Sequence, residues 1–452
     1  MEFQKMKTLD MTKGTPLKLI LRFAVPLFIG ILFQQAYNFA DTMIVGRGLG
    51  DTAVAAVGST SALYGVLIHF ANGMNNGFGI VLSRMFGAKD YEGMKKAAAT
   101  MIVLDGAVVL VLTSLSLPML KMLLVWLDTP ADIFGQAYQY IFIILAGMFS
   151  TIAYNMGAGF MRAVGNSRTP LFFLILSCGL NVSMDILFIF GLKLGVMGAA
   201  MATVFAQVIS ALLSFGYIYR NYAVFLPGKK DWRLEKELAQ EMLSTGLSMG
   251  LMLSVFSLGS IILQKGVNML GTRVITAHTA ARRIQEMQVM PLSAIASANA
   301  TFVGQNYGAK EYGRIKTSLK QVIGAELCLS LAGILISYTA GRWLVGLLLG
   351  TNDAMVLDYG VLNTRVTSLF FFPLGILLVL RNAMQPMGYK IAPVVSSSIE
   401  LAVKVLFTFL LIPRVGYPGV VVTEPIIWVC CAVFLGIVYI GSERKRRKGN
   451  CG

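Results

Sequence analysis

The sequence contains little charge and few of the residues that build metal or catalytic centres. Only 13% of its 452 residues are charged, about half of the roughly 25% that is typical of soluble domains. Two histidines are too few for a histidine metal cluster, and none of the five cysteines forms a C-x-x-C pair. No nucleophile, histidine and acid follow one another persuasively, so we do not expect an enzyme.

A nucleotide-driven pump is also not expected. The segment from Gly266 to Gly271 has the glycine spacing of a phosphate-binding loop, but Thr272 and Arg273 follow it where the loop requires lysine. The sequence therefore predicts no ATP site and no organic cofactor.

Long apolar runs are the main feature that is present. Hydrophobic residues make up 56% of the chain, and the mean hydropathy is +0.70. Because a membrane-spanning helix needs about 20 mainly apolar residues, the runs predict an all-α integral membrane protein with twelve transmembrane helices. The predicted spans are 17–45, 53–80, 97–120, 132–158, 168–191, 195–219, 242–265, 274–302, 318–340, 355–380, 392–412 and 418–440.

The basic residues indicate topology rather than nucleic-acid binding. The formal net charge is +16, and 27 of the 38 basic residues, Arg381 among them, fall in the terminal tails and alternate loops. The positive-inside rule places those segments in the cytoplasm. We therefore expect a multi-pass protein of the inner (cytoplasmic) membrane with both termini in the cytoplasm, with the lipid bilayer and not nucleic acid as its partner.

The sequence is an internal repeat of two similar halves. The recurring motifs are Gly87–Tyr91 and Gly308–Tyr312 (221 apart), Gly195-x-x-Gly198 and Gly416-x-x-Gly419 (221 apart), and Gly165…Pro170 and Gly388…Pro393 (223 apart). Because six spans per half leave the second copy uninverted, we expect two six-helix lobes related by a pseudo-two-fold axis along the membrane normal. The predicted parts are an N-lobe (1–220), a cytoplasmic linker (221–241), a C-lobe (242–441) and a basic tail (442–452).

Polar residues recur at helical spacing inside three spans of the first half. They are Gln34, Asn38 and Asp41; Ser177, Asn181 and Asp185; and Thr203 and Gln207. Intramembrane acids usually mark functional sites. Two carboxylates with an amide and a hydroxyl provide oxygen ligands for a small cation, and closely spaced acids also favour proton uptake. The second half has Ile262 opposite Asp41, and Leu406 or Thr408 opposite Asp185, so we expect this site in the first lobe only.

The second half carries its own charged residues. His278, Arg282 and Glu286 follow one another at spacings of four, and Glu400 and Lys404 form an i, i+4 pair. Two interpretations remain open. These residues form neutralised structural networks, or they line a substrate or proton path, for which Arg282 and Glu286 are the candidates.

Several motifs together resemble the multidrug and toxic compound extrusion (MATE) transporters over nearly the full length of the chain. The matching segments are Pro26…Gln34…Tyr37-Asn38…Asp41…Val45-Gly46; Ala55-Ala56-Val57-Gly58; Gly87-Ala88 and Gly308-Ala309; Arg162-Ala163-x-Gly165-Asn166-Ser167…Pro170; Asn181…Asp185; and Gly304-Gln305-Asn306-x-Gly308. Each motif alone is weakly specific, and their combination is specific.

The resemblance implies a secondary antiporter that exports cationic or amphiphilic organic compounds in exchange for H+ or Na+ by alternating access. It also implies roles for particular residues. By similarity, the cation site consists of Asp41, Asn181, Asp185 and Thr203, and the substrate cavity includes Gln34, Tyr37, Asn38 and Asn155. Some family members carry further acids in helices 7 and 10. Here no acid occurs from 242 to 272, and Asp358 is the only one in helix 10, so a Na+ site in the second lobe is not expected, and no other metal site is.

Three other functions remain as alternatives. A lipid-linked-oligosaccharide flippase of the same superfamily would need a more cationic central cavity. A membrane enzyme would need a nucleophile or a metal constellation. An ion channel would need a continuous pore, usually built from several subunits, whereas this chain is duplicated within itself and suggests no obligate protein partner.

Overall fold

The computed structural model describes residues 8–350 and 353–449, and this part of the chain is almost entirely helical. The helices up to the middle of the chain are α1 (Pro16–Leu49), α2 (Asp51–Ala88), α3 (Tyr91–Trp126), α4 (Ala131–Ala146), α5 (Met148–Ala163), α6 (Arg168–Asp185), α7 (Val196–Asn221) and α8 (Lys236–Asn268). The others are α9 (Thr272–Gly308), α10 (Tyr312–Thr339), α11 (Gly341–Leu349), α12 (Ala354–Ser368), α13 (Phe371–Met384), α14 (Ile391–Leu406), α15 (Ile412–Val415) and α16 (Tyr417–Gly449).

The helices confirm the all-α membrane fold. Within the described residues, nine helices or continuous helical segments are long and apolar enough to cross a membrane. Two bent pairs qualify when each is taken as one span: α4 with α5, bent by 43°, and α12 with α13, bent by 53°. The remaining predicted span, 274–302, lies in α9, which has 37 residues but carries Arg282, Arg283 and Glu286, and these charges lower its hydropathy.

The backbone repeats its unusual conformations at the displacements seen in the sequence. Four related pairs of residues have left-handed φ angles, and three of these pairs are built of glycine, which adopts such angles without steric cost. The pairs are Gly50 (84°) and Gly271 (89°), Lys89 (58°) and Lys310 (60°), Gly165 (84°) and Gly388 (91°), and Gly195 (62°) and Gly416 (71°). The agreement shows that the duplication extends to the turns between helices.

Helices α6 and α14 share a further local feature. Each continues directly into a π-helical segment, Ile186–Gly191 after α6 and Phe407–Leu411 after α14. π-helical turns are rare and occur frequently at functional sites. The feature therefore marks the same helix in both copies as the one with irregular backbone inside the membrane.

Contacts between Cα atoms divide the described chain into two compact units. The first unit contains residues 8–13, Val25–Gly250 and Gly308–Lys310. The second contains Gly14–Ala24, Leu251–Tyr307 and the described residues from Glu311 onward. The predicted basic tail, 442–452, begins within α16 and is helical to Gly449, whereas residues 450–452 lie outside the described chain.

Two glycine pairs allow α2 and α8 to cross closely in the first unit. A Cβ atom on Gly73 would lie 2.6 Å from the Cα of Gly250, and a Cβ atom on Gly77 would lie 2.6 Å from the Cα of Gly246. Small residues four apart are the usual means of bringing membrane helices into backbone contact. The crossing therefore depends on the absence of side chains at these four positions.

We expect Gly77→Ala to destabilise the protein by roughly 1–3 kcal/mol, the usual cost of overpacking, because the added methyl group meets backbone that cannot rotate away. The matched control is Gly65→Ala in the same helix, since nothing lies within 4 Å of its Cβ position. Thermal unfolding of the purified variants in detergent measures both effects. Equal stability of the two variants would show that the crossing tolerates a wider spacing.

Candidate functional site

Helices α1, α6 and α7 surround an open cavity in the first unit. The cavity has about 290 Å³ of empty space. Polar side chains from all three helices share its wall with apolar ones, and the lining residues are Gln34, Tyr37, Leu174, Ser177, Cys178, Asn181, Thr203, Ala206 and Gln207. A wall of this composition suits a ligand with an apolar body and a few polar groups.

Two carboxyl groups meet beside this cavity. The side chains of Asp41 and Asp185 are in hydrogen-bonding contact, and Asp185 is fully buried. One oxygen of each, Oδ1, is also buried without a hydrogen-bond partner among the described residues. In that part of the chain, no group of three or more His, Cys, Asp or Glu side chains is placed to hold a metal ion. Two acids and their neighbouring neutral groups therefore make up the site.

Asn181 joins the acids to α7. The amide orientation that satisfies its surroundings has Nδ2 donating to Asp185 Oδ2 at 2.8 Å and the oxygen accepting from the Thr203 backbone N–H at 3.1 Å. The Tyr37 side chain forms a hydrogen bond with the Thr203 side chain. Helical spacing explains the assembly, because Asn181 and Asp185 are one turn apart on α6 and present the same face to α7.

The other predicted residues of the first half are placed differently from one another. Gln34 lines the cavity together with Tyr37. Asn38 is exposed, and its backbone carbonyl accepts from the Thr42 hydroxyl at 2.9 Å. Asn155 is not among the lining residues, and its Nδ2 donates to Asn72 Oδ1 at 2.7 Å. The structure thus brings Asp41, Asn181, Asp185 and Thr203 together and leaves Asn38 and Asn155 outside the cavity wall.

The charged residues predicted on α9 lie in the second unit and pair with each other. Arg282 Nε lies 3.4 Å from Glu286 Oε1, and Arg283 Nη1 lies 3.6 Å from Glu286 Oε2. On the neighbouring turn, Gln285 Nε2 donates to Glu424 Oε2 of α16 at 2.6 Å. These contacts are partly exposed, so the charges are neutralised locally without being removed from a polar environment.

A buried charge cluster lies deeper in the second unit. Glu400 Oε1 is 3.0 Å from Lys404 Nζ, and Glu400 Oε2 is 3.3 Å from Arg381 Nη2. Arg381 also donates to Ser396 Oγ at 2.8 Å. The pairing of Glu400 with Lys404 follows from helical spacing, but the sequence analysis counts Arg381 with the cytoplasmic loops and misses its burial. Its position near a Pro-containing loop hid the contact with α14.

Two buried acids were also missed by the sequence analysis. Asp105 on α3 and Glu326 on α10 are 3% and 0% exposed and are 221 residues apart. Asp105 Oδ2 accepts from Asn75 Nδ2 at 3.3 Å, whereas Asp105 Oδ1 and both Glu326 carboxyl oxygens have no hydrogen-bond partner in the described chain. Their shared displacement was the signal that could have found them, because it equals that of the glycine motifs.

Known proteins with related sequences or folds are membrane transporters. The chain matches the MatE family over residues 26–187 and 242–410. It is 27% identical over 436 residues to the probable multidrug resistance protein YpnP of Bacillus subtilis, covering 95% of this chain and 96% of that protein. It is 23% identical to the multidrug export protein MepA of Staphylococcus aureus over 433 residues, covering 96% and 95%. A solved structure of a multidrug resistance MATE transporter of the MOP superfamily, in an outward-facing conformation, shares its fold with a TM-score of 0.87 at 24% identity, covering 97% of this chain and 99% of that one.

Proposed function

Because the chain belongs to the MatE family of multidrug transporters, we propose that it is a secondary antiporter that exports cationic or amphiphilic organic compounds. The coupling ion is H+ or Na+, and it binds at Asp41, Asn181, Asp185 and Thr203. The observation that carries the proposal is the contact between the Asp41 and Asp185 carboxyl groups beside a cavity of the same unit. The relatives named for multidrug resistance and export support the substrate class.

The chemistry of the carboxyl pair explains how it binds a cation. Two carboxylates in contact repel each other strongly in a site with little water. A proton shared between Asp41 and Asp185 removes the repulsion and completes a hydrogen bond. A sodium ion also removes it, and the Asn181 and Thr203 side chains then supply further oxygen ligands, as hard cations prefer.

Export requires that the coupling ion and the substrate stabilise different conformations of the transporter. Substrate enters the cavity near Gln34 and Tyr37 from the cytoplasmic side, and ion binding at the carboxyl pair changes the contacts between α1 and α6 and favours release outside. The two ligands need no direct contact, because each shifts the same equilibrium by its preference for one state. In this scheme the moving lobes are residues 1–220 and 242–441, and the segment 221–241 connects them.

The second-half residues and the membrane orientation complete the proposal. Arg282 and Glu286 border the substrate path of the second lobe, and Asn38 and Asn155 reach the first-lobe cavity in another conformation of the cycle. The distribution of basic residues supports placement in the cytoplasmic membrane with both termini inside.

Ion-driven efflux from vesicles tests the proposed function directly. Purified protein is reconstituted into liposomes, and the export of a fluorescent lipophilic cation is followed under a Na+ gradient or a pH gradient, each imposed alone. We expect one of the two gradients to drive export. Transport of a lipid-linked oligosaccharide without dependence on either ion would instead identify a flippase.

Labelling of Cys178 tests whether the cavity binds substrate. Cys178 lines the cavity and is partly exposed. In a variant in which the other four cysteines are replaced by serine, we expect saturating substrate to slow the reaction of Cys178 with a small cationic thiol reagent by about tenfold or more, which corresponds to binding at ten times the dissociation constant. An unchanged labelling rate would place the substrate elsewhere.

A further inference from the structure

Contacts within the two units fix how the repeat aligns α14 with α6. Helix α14 begins 223 residues after α6, and Asp185 therefore corresponds to Thr408. Asp41 corresponds to Ile262 by the displacement of 221. Thr408 Oγ1 donates to the Ile262 carbonyl at 3.5 Å, so it contacts the residue equivalent to Asp41, just as Asp185 contacts Asp41. The same contact in both units confirms the alignment along α14.

This alignment places charged residues of the second unit at positions that hold neutral ligands in the first. The corresponding pairs are Ser177 and Glu400, Asn181 and Lys404, and Thr203 and Glu424. In the first unit the amide of Asn181 contacts Thr203. In the second unit the ammonium group of Lys404 contacts Glu400 and lies within electrostatic range of Glu424. The acids and the cation of the second unit are therefore both parts of the chain.

The surroundings of Lys404 are shaped around its side chain. Lys404 is 1% exposed, and its Nζ lies 4.8 Å from the centre of the Phe256 ring, where the face of the ring attracts a cation. A Cβ atom on Gly259 would lie 2.9 Å from Lys404 Cδ, so the missing side chain leaves room for the lysine stem. Gly259 corresponds to Asn38, which has a side chain in the first unit.

The remaining charges nearby keep the acids balanced when Lys404 is removed. Glu400 retains its contact with Arg381. Glu424 retains its hydrogen bond from Gln285 and lies within electrostatic range of Arg282 and His278. A variant without the lysine side chain therefore keeps a partner for each carboxylate, and we expect it to fold.

We propose that Lys404 is a tethered cation, which permanently fills in the second unit the place that an exchangeable cation takes in the first. Its ammonium group cannot leave, so the second unit exchanges no ion and the transporter couples through one site. The inference rests on the proposed function for its account of the first unit. The occupied site itself is defined by Glu400, Lys404 and Glu424 and is tested by binding rather than transport.

Removing the lysine side chain is expected to create a site for a small free cation. The test uses the full chain with Asp41→Asn and Asp185→Asn, which silences the first unit, and adds Lys404→Ala. Methylammonium, with Na+ as a second probe, is titrated into the purified protein while its melting temperature is followed. We expect methylammonium to raise the melting temperature of the Lys404→Ala protein by several degrees in a saturable way, and to leave its parent unchanged.

Matched variants connect the effect to the proposed place. Lys404→Arg keeps a tethered cation, and Glu400→Gln combined with Lys404→Ala removes the main carboxylate, so neither should respond to methylammonium. No saturable shift in the Lys404→Ala protein overturns the proposal. So does cation binding by the parent that Glu400→Gln abolishes, because the lysine then does not occupy the site.

A second substitution tests the equivalence without removing Lys404. Asn181→Lys in the otherwise unchanged protein places a lysine at the matching position of the first unit, and we expect it to abolish exchangeable cation binding there. Asn181→Met, which is uncharged and of similar length, should weaken that binding without abolishing it. Equal retention of cation binding by both variants overturns the proposal. A failure of the proposed function would be seen separately, as wild-type export that depends on neither ion.

Discussion

Replacing Asp185 by asparagine abolishes ion-driven export while leaving the protein folded, if the carboxyl pair couples transport. Asp185 is fully buried and contacts Asp41 and Asn181. Asparagine has nearly the same volume and keeps one acceptor oxygen, but it binds no proton and adds no charge for Na+. We expect the gradient-driven rate to fall at least about tenfold, a loss of about 1.4 kcal/mol in coupling, and Asp41→Asn to behave alike.

The control for these variants is an acid-to-amide substitution outside the site. Asp358 pairs with Arg342 at 2.7 Å, and both side chains are mostly exposed, so the pair contributes little to stability. Asp358→Asn should therefore export at the wild-type rate. Wild-type rates under the same gradient in both Asp41→Asn and Asp185→Asn would make the pair structural and direct the search for the coupling site to Glu286, Glu400 and Glu424.

Replacing Glu400 by glutamine should cause a large loss of stability. Glu400 is the carboxylate that contacts both Arg381 and Lys404, and these side chains are 8% and 1% exposed. Removing one partner of a buried ion pair leaves an uncompensated charge, at a cost of about 3–5 kcal/mol. We expect Glu400→Gln to lower the free energy of unfolding by that amount, measured by denaturant titration in detergent micelles.

The order of effects within the cluster distinguishes this explanation from simple loss of packing. Lys404→Met keeps most of the side-chain volume and leaves Glu400 paired with Arg381, so it should cost clearly less than Glu400→Gln. Asp358→Asn again serves as the exposed control and should have no measurable effect. If Lys404→Met destabilised the protein more than Glu400→Gln, packing rather than charge balance would hold these helices together.

The helices of the fold follow from the sequence because membrane spans depend on local hydropathy. The bends do not, since they depend on neighbours. The predicted span 132–158 is continuous in hydropathy, but the structure breaks it at Gly147, where the side chain of Val204 occupies the space that a Cβ atom would need. This contact comes from α7, more than 50 residues away in sequence, so no local pattern reveals it.

The candidate site was predictable as far as helical spacing determines it. Asn181 and Asp185 lie on one face of α6, and their meeting with Thr203 follows from the pairing of consecutive helices. Asn155 shows the limit of this reasoning, because its partner, Asn72, lies on α2 and the distance between them depends on tertiary packing. The burial of Arg381 is a second limit, since a charge near a helix end is normally hydrated and only the position of Glu400 makes it otherwise.

Substrate-triggered ion release is the most direct test of the claim that Asp41 and Asp185 hold the exchangeable cation. Purified protein in weakly buffered detergent solution is mixed with a lipophilic cation, while a pH-sensitive dye and a Na+ electrode record the ions set free. We predict that wild type and Asp358→Asn release one kind of ion on binding substrate. The Asp41→Asn/Asp185→Asn variant should bind substrate and release none. Equal release by that variant would contradict the assignment of the cation site to the first unit.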